Sequence, residues 1–207
     1  MGTICSLNVC PSYCVCCNKT VCGTNPQERY ALETSTIFFP VKDAKMPCNY
    51  YIEKGRCKFG DDCKYSHKKS HPLIKFLNVL KKAQKTLDIC VFTITCNEIS
   101  NVIKDLACNK GVKVRIITDN DQMETQGSDI KELNEASKNI TIKIDDSDYH
   151  MHHKFCIIDQ QLLMNGSFNW TRQAVLGNNE NVCVIDNKPM LASYQKQFNK
   201  LWSSKKH

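Results

Sequence analysis

The sequence predicts an α/β sandwich, in which helices are layered around a mixed β-sheet and a small Cys-Cys-Cys-His zinc finger is inserted. Three observations support this prediction. From residue 72 onward, apolar runs of strand length alternate with segments of helical periodicity. A chain of 207 residues suits one compact domain with room for a small insertion. Four residues of the types that bind zinc fall within positions 48–67.

The elements are expected in a simple order along the chain. Residues 1–35 show little periodicity, so they are expected to form a cysteine-rich N-terminal tail before a domain at 36–207. The helical spacing of Leu73, Leu77 and Leu80 predicts a helix that begins at Pro72. Further helices are expected at 99–108, 129–136 and 190–202. Strands are expected at 36–40, 87–93, 112–118, 140–144, 155–158, 162–164 and 181–185.

A motif of the form H-x-K-x4-D-x6-G-S-x-N predicts phosphodiester chemistry. Its residues are His152, Lys154, Asp159, Gly166, Ser167 and Asn169. Strand alternation places His152 and Lys154 on one face and His153 on the other. An imidazole and an ammonium on one rigid edge can attack phosphorus and neutralise its oxygens, and Ser167 and Asn169 can add hydrogen-bond donors. The alternative is a polar hairpin whose histidine and lysine merely face solvent.

A second chemical site has the spacing Cys48-x8-Cys57-x5-Cys63-x3-His67. Three thiolates and one imidazole form a closed tetrahedral set, which is typical of structural zinc. The segment resembles the Cys-Cys-Cys-His fingers that bind single-stranded RNA, with rings for base stacking and cations for phosphates. The expected RNA contacts are Lys54, Arg56, Lys58, Phe59, Lys64 and Tyr65. Alternatively, the two rings fill the small core of the finger.

The positive charge of the chain is concentrated in one segment. Residues 48–85 carry ten Lys and Arg against three Asp and Glu, a net charge of +7, which equals the net charge of the whole chain. A localised basic segment favours a polyanionic partner, either nucleic acid or an acidic membrane surface. The alternative is a solvated, lysine-rich helix face.

The motif and its surroundings resemble the phospholipase D superfamily over residues 36–202. The resemblance implies a phospholipase D-like fold, in which Glu180 of Asn178-Asn179-Glu180 holds the catalytic histidine. It also implies a homodimer, because the superfamily mechanism uses two histidines and this chain contains the motif once. Asp159 is expected to brace the motif. Nothing in the motif requires a metal, so zinc in the finger is the cofactor expected.

The resemblance leaves the substrate open. The first expectation is an endoribonuclease that cleaves single-stranded RNA in piRNA-type biogenesis through a phosphohistidine. The alternative is hydrolysis of cardiolipin to phosphatidic acid. A weaker alternative is a non-enzymatic zinc-finger adaptor for RNA. The implied location is the cytosolic face of the mitochondrial outer membrane.

The N-terminal tail carries a lipid-anchor pattern. Gly2 followed by Ser6 fits N-myristoylation, and Cys5 is a candidate for palmitoylation. The sequence contains no run of 18 apolar residues, so no membrane-spanning helix is expected. A disordered tail or a misassigned start codon are the alternatives. Five of the 14 cysteines lie singly in apolar contexts and are expected to be buried and reduced: Cys90, Cys96, Cys108, Cys156 and Cys183.

Overall fold

The computed structural model describes residues 35–40, 45–122, 127–145 and 147–204. The expected lipid-anchor residues Gly2 and Cys5 lie outside the described residues. Within the described ranges, no helix has both the length and the apolar character needed to cross a bilayer.

Seven strands in the described part of the chain form one mixed sheet, in the order β1-β7-β6-β5-β2-β3-β4. Strands β2, β3 and β4 are parallel, and the other pairings are antiparallel. The strands are β1 (Ser35–Phe39), β2 (Thr86–Val91), β3 (Lys113–Asp119), β4 (Ile140–Asp145), β5 (Lys154–Ile158), β6 (Leu162–Gly166) and β7 (Glu180–Ile185). All seven match predicted strands with small differences at their ends, because each carries the apolar residues that a buried sheet requires.

Within the described residues, six α-helices accompany the sheet. They are α1 (Asn49–Lys54), α2 (Pro72–Leu80), α3 (Asn97–Cys108), α4 (Ile130–Ala136), α5 (Arg172–Leu176) and α6 (Lys188–Ser203). Helix α2 begins at a proline, whose fixed φ suits the first helical turn, and the His71 side chain accepts a hydrogen bond from the Leu73 amide. The four longest helices, α2, α3, α4 and α6, were predicted, whereas α1 and α5 are short and were not.

Helix α6 covers one face of the sheet. Its Leu191 and Phe198 pack against Cys90, Phe155 and Leu163 of the central strands. Ile89 and Cys156 are also buried, and strand alternation turns them to the opposite face, so both faces are covered. This arrangement confirms the predicted sandwich of helices around a mixed sheet.

The five singly placed cysteines divide into two groups. Cys90, Cys96 and Cys156 are buried, and burial raises the pKa of the Cys90 and Cys96 thiols to about 12. The prediction was wrong for Cys108, which is exposed at the end of α3, and Cys183 is only half-buried on β7. Cys108 lies three residues after Asp105 on the polar side of α3, beside the buried stripe that contains Ile103, Leu106 and Ala107. All five are free thiols.

Candidate active site and metal centre

One edge of the sheet gathers the residues of the predicted active site. At this edge β1, β2 and β6 end while β5 and β7 begin, as the pairs Phe39–Glu180 and Val91–Lys154 show. Lys154 and Glu180 are therefore the first residues of their strands, and Ser167 directly follows the last residue of β6. The fold brings these three positions together although 25 residues lie between the first and the last.

His152 and Lys154 lie beside the same aromatic ring. The imidazole of His152 is 5.0 Å from the ring of Phe92, and the Lys154 Nζ is 5.5 Å from the centre of that ring. Lys154 Nζ also donates a hydrogen bond of 2.8 Å to the carbonyl oxygen of His152. His153 points elsewhere, with its ring 5.5 Å from Phe155 on the α6 side. The predicted alternation of these side chains is confirmed.

The surroundings of His152 favour its neutral form. Burial lowers the pKa of His152, and the positive charges of Lys154 and His150 lower it further, while Asp119 acts in the opposite direction. Burial likewise lowers the pKa of Lys154, and the nearby carboxylate of Glu180 partly offsets this effect. A neutral imidazole keeps the free electron pair that a nucleophile needs.

Asp119 was not predicted as a site residue, yet it holds the segment that carries His152. Its carboxylate lies at the end of β3 and is 1% exposed. One oxygen accepts a hydrogen bond of 2.7 Å from the Met151 amide and lies 3.4 Å from His150 Nδ1. The ring of His150 in turn meets Phe92 at 5.4 Å. An acidic residue that ends a buried strand was the available sequence signal.

The Gly-Ser-x-Asn part of the motif joins β6 to β7. A Cβ atom at Gly166 would collide with the carbonyl oxygen of Asn181, so glycine permits the close approach of these strands. Ser167 exchanges hydrogen bonds with Asn181: its amide donates to the Asn181 carbonyl, and its Oγ accepts from the Asn181 amide, both at 3.1 Å. The Oδ1 atom of Asn169 is buried and has no hydrogen-bond partner among the described residues.

Glu180 faces the same edge, but the structure does not bring it to His152 within one chain. Its Oε1 accepts a hydrogen bond of 3.0 Å from Asn178 Nδ2, and its charge acts on Lys154. Among the residues that the structure describes, no hydrogen bond joins Glu180 to His152. The expected support of the histidine by this carboxylate is therefore absent from the isolated chain.

Asp159 lies at the opposite edge of the sheet, at the far end of β5. Its carboxylate accepts hydrogen bonds from three successive backbone amides at the start of β2: Gln84 at 2.8 Å, Lys85 at 2.7 Å and Thr86 at 2.8 Å. Its φ of 50° lies in the left-handed region, where Asp is among the residues tolerated. This geometry matches the expected bracing role and separates Asp159 from the reacting groups.

The four predicted metal ligands converge. Their ligand atoms all lie within 4.8 Å of one another, and the Sγ atoms of Cys57 and Cys63 are 3.7 Å apart. Cys48 and Cys63 are buried, and the buried Nε2 of His67 has no hydrogen-bond partner in the described part of the chain. The ring of Tyr51, which was not predicted to contribute, stacks on His67 at 4.3 Å. A closed set of three thiols and one imidazole fits a structural metal ion.

The surface of the finger exposes its rings. Phe59 is 57% exposed and Tyr65 is 37% exposed, so neither ring serves as the core of the finger. Lys58 Nζ lies 4.9 Å from the centre of the Phe59 ring, and Lys64 Nζ lies 5.1 Å from that of Tyr65. The other two expected contact residues, Lys54 and Arg56, are exposed as well.

Comparison with known proteins agrees with the fold and with the zinc finger. Residues 76–202 match the family described as cardiolipin synthase, PLD-like domain, and residues 48–67 match a zinc finger domain. The chain belongs to the phospholipase D superfamily and is a phosphodiesterase of that superfamily.

Among its relatives are proteins named mitochondrial cardiolipin hydrolase, the group that includes Zucchini, which confirms the resemblance to the phospholipase D superfamily. The protein of that name from Chlamydomonas reinhardtii is 54% identical over 81% of this chain and 72% of its own length. The Xenopus tropicalis protein is 39% identical over 62% of this chain and 60% of its own length. The Homo sapiens protein is 34% identical over 69% of this chain and 55% of its own length.

Solved structures share the fold. NucT from Helicobacter pylori has a TM-score of 0.60 and 20% identity, covering 83% of this chain and 98% of its own. Nuc from Salmonella typhimurium, described as a phospholipase D family member, has a TM-score of 0.56 and 24% identity, covering 63% of this chain and 86% of its own.

Proposed function

We propose that the protein hydrolyses cardiolipin, breaking one phosphodiester bond to release phosphatidic acid and phosphatidylglycerol. The observation that carries this proposal is the pair of His152 and Lys154 at an exposed sheet edge, with the pKa of the imidazole held low. The names of the relatives favour cardiolipin over RNA, which was the first expectation from the sequence.

The proposed reaction has two steps. The neutral imidazole of His152 attacks phosphorus, the bond to the leaving oxygen breaks, and that oxygen takes a proton from a general acid. Water then gives a proton to the same group, which now acts as a base, attacks the phosphohistidine, breaks the phosphorus–nitrogen bond and restores the imidazole. Lys154 and the amide of Asn169 stabilise the negative charge on the phosphate oxygens, and Ser167 adds a hydroxyl. Glu180 and Lys154 lie close enough to interact.

The general acid in this proposal is His152 of a second copy of the chain. A residue such as His150, two positions away from the nucleophile, cannot reach the opposite side of the phosphorus for in-line displacement. A two-fold axis at the exposed edge would supply the second histidine. Because Glu180 makes no hydrogen bond to His152 of its own chain, the same axis would let it support the partner's His152.

Vesicles that contain cardiolipin test the proposed substrate. Wild-type protein should release phosphatidic acid, and His152→Ala should reduce the rate to background, because the nucleophile is lost. The exposed Lys196→Ala on α6 serves as the matched control and should retain the wild-type rate. If wild type and His152→Ala release phosphatidic acid equally slowly, cardiolipin is not the substrate.

Single-stranded RNA is the second candidate substrate, and a specific observation favours it. The exposed rings of Phe59 and Tyr65 each lie beside a lysine, an arrangement suited to stacked bases and phosphates. Cleavage by the same mechanism leaves a 5′-phosphate and a 3′-hydroxyl, because no 2′-hydroxyl attacks. A 2′,3′-cyclic phosphate product would contradict this route. A role in piRNA-type biogenesis belongs to this second candidate.

The proposed location is the mitochondrial outer membrane, with the active site on the cytosolic face. The mitochondrial names of the relatives support the organelle. The proposed attachment is acylation at Gly2 and Cys5. Gly2→Ala should then shift the protein from the membrane to the soluble fraction, as measured by fractionation. Unchanged attachment of that variant would contradict acylation as the anchor.

A further inference from the structure

A cavity of about 590 Å³ lies between the finger and the catalytic body. Three of the four predicted metal ligands, Cys48, Cys57 and Cys63, line it, together with aromatic, basic and acidic side chains from both parts of the chain. The residues that matter here are Tyr50, Lys58, Phe59, Tyr65, Glu98 and Arg172. Tyr50 is 56% exposed, so it joins Phe59 and Tyr65 as a third ring available to a ligand. The cavity is thus a composite site, which the finger alone does not form.

The residues that the catalytic body contributes come from the edge that carries His152. Glu98 is the second residue of α3, the helix that follows strand β2. The last residue of β2 pairs with Lys154. Arg172 follows Trp170, which forms a bridge with Ile94 in the segment between β2 and α3. A chain-like ligand held in this cavity would therefore lie at the same edge of the sheet as the reacting groups.

Glu98 and Arg172 are available for a ligand. The carboxylate of Glu98 accepts a hydrogen bond from the Cys96 thiol at 3.4 Å. Neither Glu98 nor Arg172 forms a salt bridge within the ranges that the structure describes. A carboxylate inside a basic site repels phosphate headgroups, but it accepts the N–H groups of a nucleobase. This carboxylate favours RNA over an anionic membrane as the ligand of the cavity.

We propose that the cavity binds one nucleotide of single-stranded RNA and selects guanine. The base stacks on the rings of Phe59 and Tyr65, and Arg172 and Lys58 meet its phosphates. Guanine presents two adjacent donors on its Watson–Crick edge, N1–H and the N2 amino group, which match the two oxygens of Glu98. The proposal deepens the second candidate substrate and rests on it.

Base selection can be measured in the full-length protein that carries His152→Ala, so that cleavage does not interfere. Short fluorescent uridine-rich RNAs differ at one central position, which is G, A, C or U. Binding, measured by anisotropy, should favour the G-containing RNA by about 5- to 150-fold, the range typical of a bidentate base contact. Phe59→Leu should weaken binding of all four RNAs, because stacking does not depend on base identity.

Glu98→Gln is the decisive variant. A glutamine amide accepts at one atom and donates at the other, a pair that the Watson–Crick edge of every base can meet, so the preference for guanine should be lost. Glu135→Gln on the exposed surface of α4 is the matched control and should keep the guanine preference. Equal binding of all four RNAs by the His152→Ala protein with Glu98 intact overturns the proposal, and so does an equal loss for all four in Glu98→Gln.

A membrane ligand gives a different result. If vesicles containing cardiolipin, and not the RNAs, bind more tightly to Glu98→Gln than to its parent, the cavity serves a lipid surface and the proposal fails. Because these assays measure binding without catalysis, their outcome is separate from that of the cardiolipin hydrolysis assay with wild type. A guanine preference without RNA cleavage would identify the cavity as an RNA tether.

Discussion

At the scale of single residues, the predicted catalytic motif contains positions that hold the fold together as well as positions that we propose face the substrate. His152 and Lys154 meet Phe92 at the exposed edge. Asp159 binds backbone amides at the other edge, and Gly166 leaves room for the Asn181 carbonyl. Substitutions of His152 and Lys154 should therefore reduce activity. Substitutions of Asp159 and Gly166 should reduce stability.

Gly166→Ala should destabilise the fold. The added methyl group meets the backbone of β7, which cannot move without breaking the sheet, so we expect a loss of about 1–3 kcal/mol in the free energy of unfolding. Chemical denaturation measures this loss. Gly177→Ala is the matched control, because its nearest neighbour, the Gln173 carbonyl oxygen, would be 3.5 Å from the new Cβ, an ordinary contact. Equal stability of the two variants would contradict the close approach at Gly166.

Asp159→Asn should lower stability and leave the chemistry intact. The amide keeps one accepting oxygen and tolerates the left-handed backbone, but it no longer offers two charged acceptors to three amides, which costs about 1–3 kcal/mol. Denaturation should show the loss, whereas kcat of the folded variant should match wild type. The exposed Asp186→Asn controls for the charge change. A large fall in kcat without destabilisation would show that Asp159 takes part in catalysis.

Lys154→Met should raise the pKa of His152. Burial is the first cause of the low pKa and persists in the variant, but the repulsion between two positive charges is removed. Titration of the His152 imidazole by NMR, assigned with His152→Gln, measures the shift. Because the nucleophile must be neutral, a raised pKa moves the acid limb of its activity to higher pH. A pKa that is unchanged, or shifted equally by the distant Lys196→Met, would contradict this electrostatic coupling.

The chemical residues could be predicted because motif spacing identifies residue types that act together. His152, Lys154 and the four finger ligands follow from spacing alone. Asp119 could not be predicted, since its role depends on a hydrogen bond to Met151, which comes from a segment 32 residues later in the chain. Phe92 was missed for the same reason: its contacts with His150 and His152 arise only when β2 and β5 pair.

At the scale of elements, sequence periodicity predicted the sheet and its longer helices because each buries a regular apolar stripe. The short helices α1 and α5 were missed. Helix α5 has five residues and is stabilised locally by Thr171, whose side chain accepts a hydrogen bond from the Ala174 amide. Helices this short are marginal on their own, so tertiary contacts decide whether they form. The order of strands in the sheet was not predicted either.

The finger should be separable from the catalytic body. Cys57→Ser should lose the bound zinc and weaken RNA binding, because the loop at 48–67 loses the ion that fixes it. Cleavage of a small phosphodiester reporter should largely persist in the folded variant. Zinc content by elemental analysis and RNA binding by anisotropy measure the first effect. The exposed Cys108→Ser is the matched control. Reporter cleavage that falls with zinc content in a folded protein would contradict this separation.

At the scale of the whole molecule, a single chain supplies one of the two histidines that the proposed mechanism needs. Within that chain, Glu180 makes no hydrogen bond to His152 among the described residues. The proposed two-fold axis would supply both missing contacts. Wild-type protein should therefore behave as a dimer in light scattering. After subunit exchange with a threefold excess of His152→Ala, about a quarter of the wild-type subunits should remain in fully wild-type pairs, and activity should fall accordingly. An active monomer, or activity that is unaffected by the excess, would show that one chain suffices.

The distance across the sheet between His152 and Asp159 bears on how relatives are recognised. Evolution can replace the three contacts of Asp159 with other means of holding β5 to β2, such as a tighter turn or a better-filled core. If Asp159 only braces β5 against β2, we expect relatives without this aspartate to keep activity and relatives without the histidine to lose it. A motif definition that requires the histidine, the lysine and the aspartate equally would exclude active relatives that lack only the aspartate. Homologues that carry the histidine and lysine but lack the aspartate are worth assaying, beginning at low temperature.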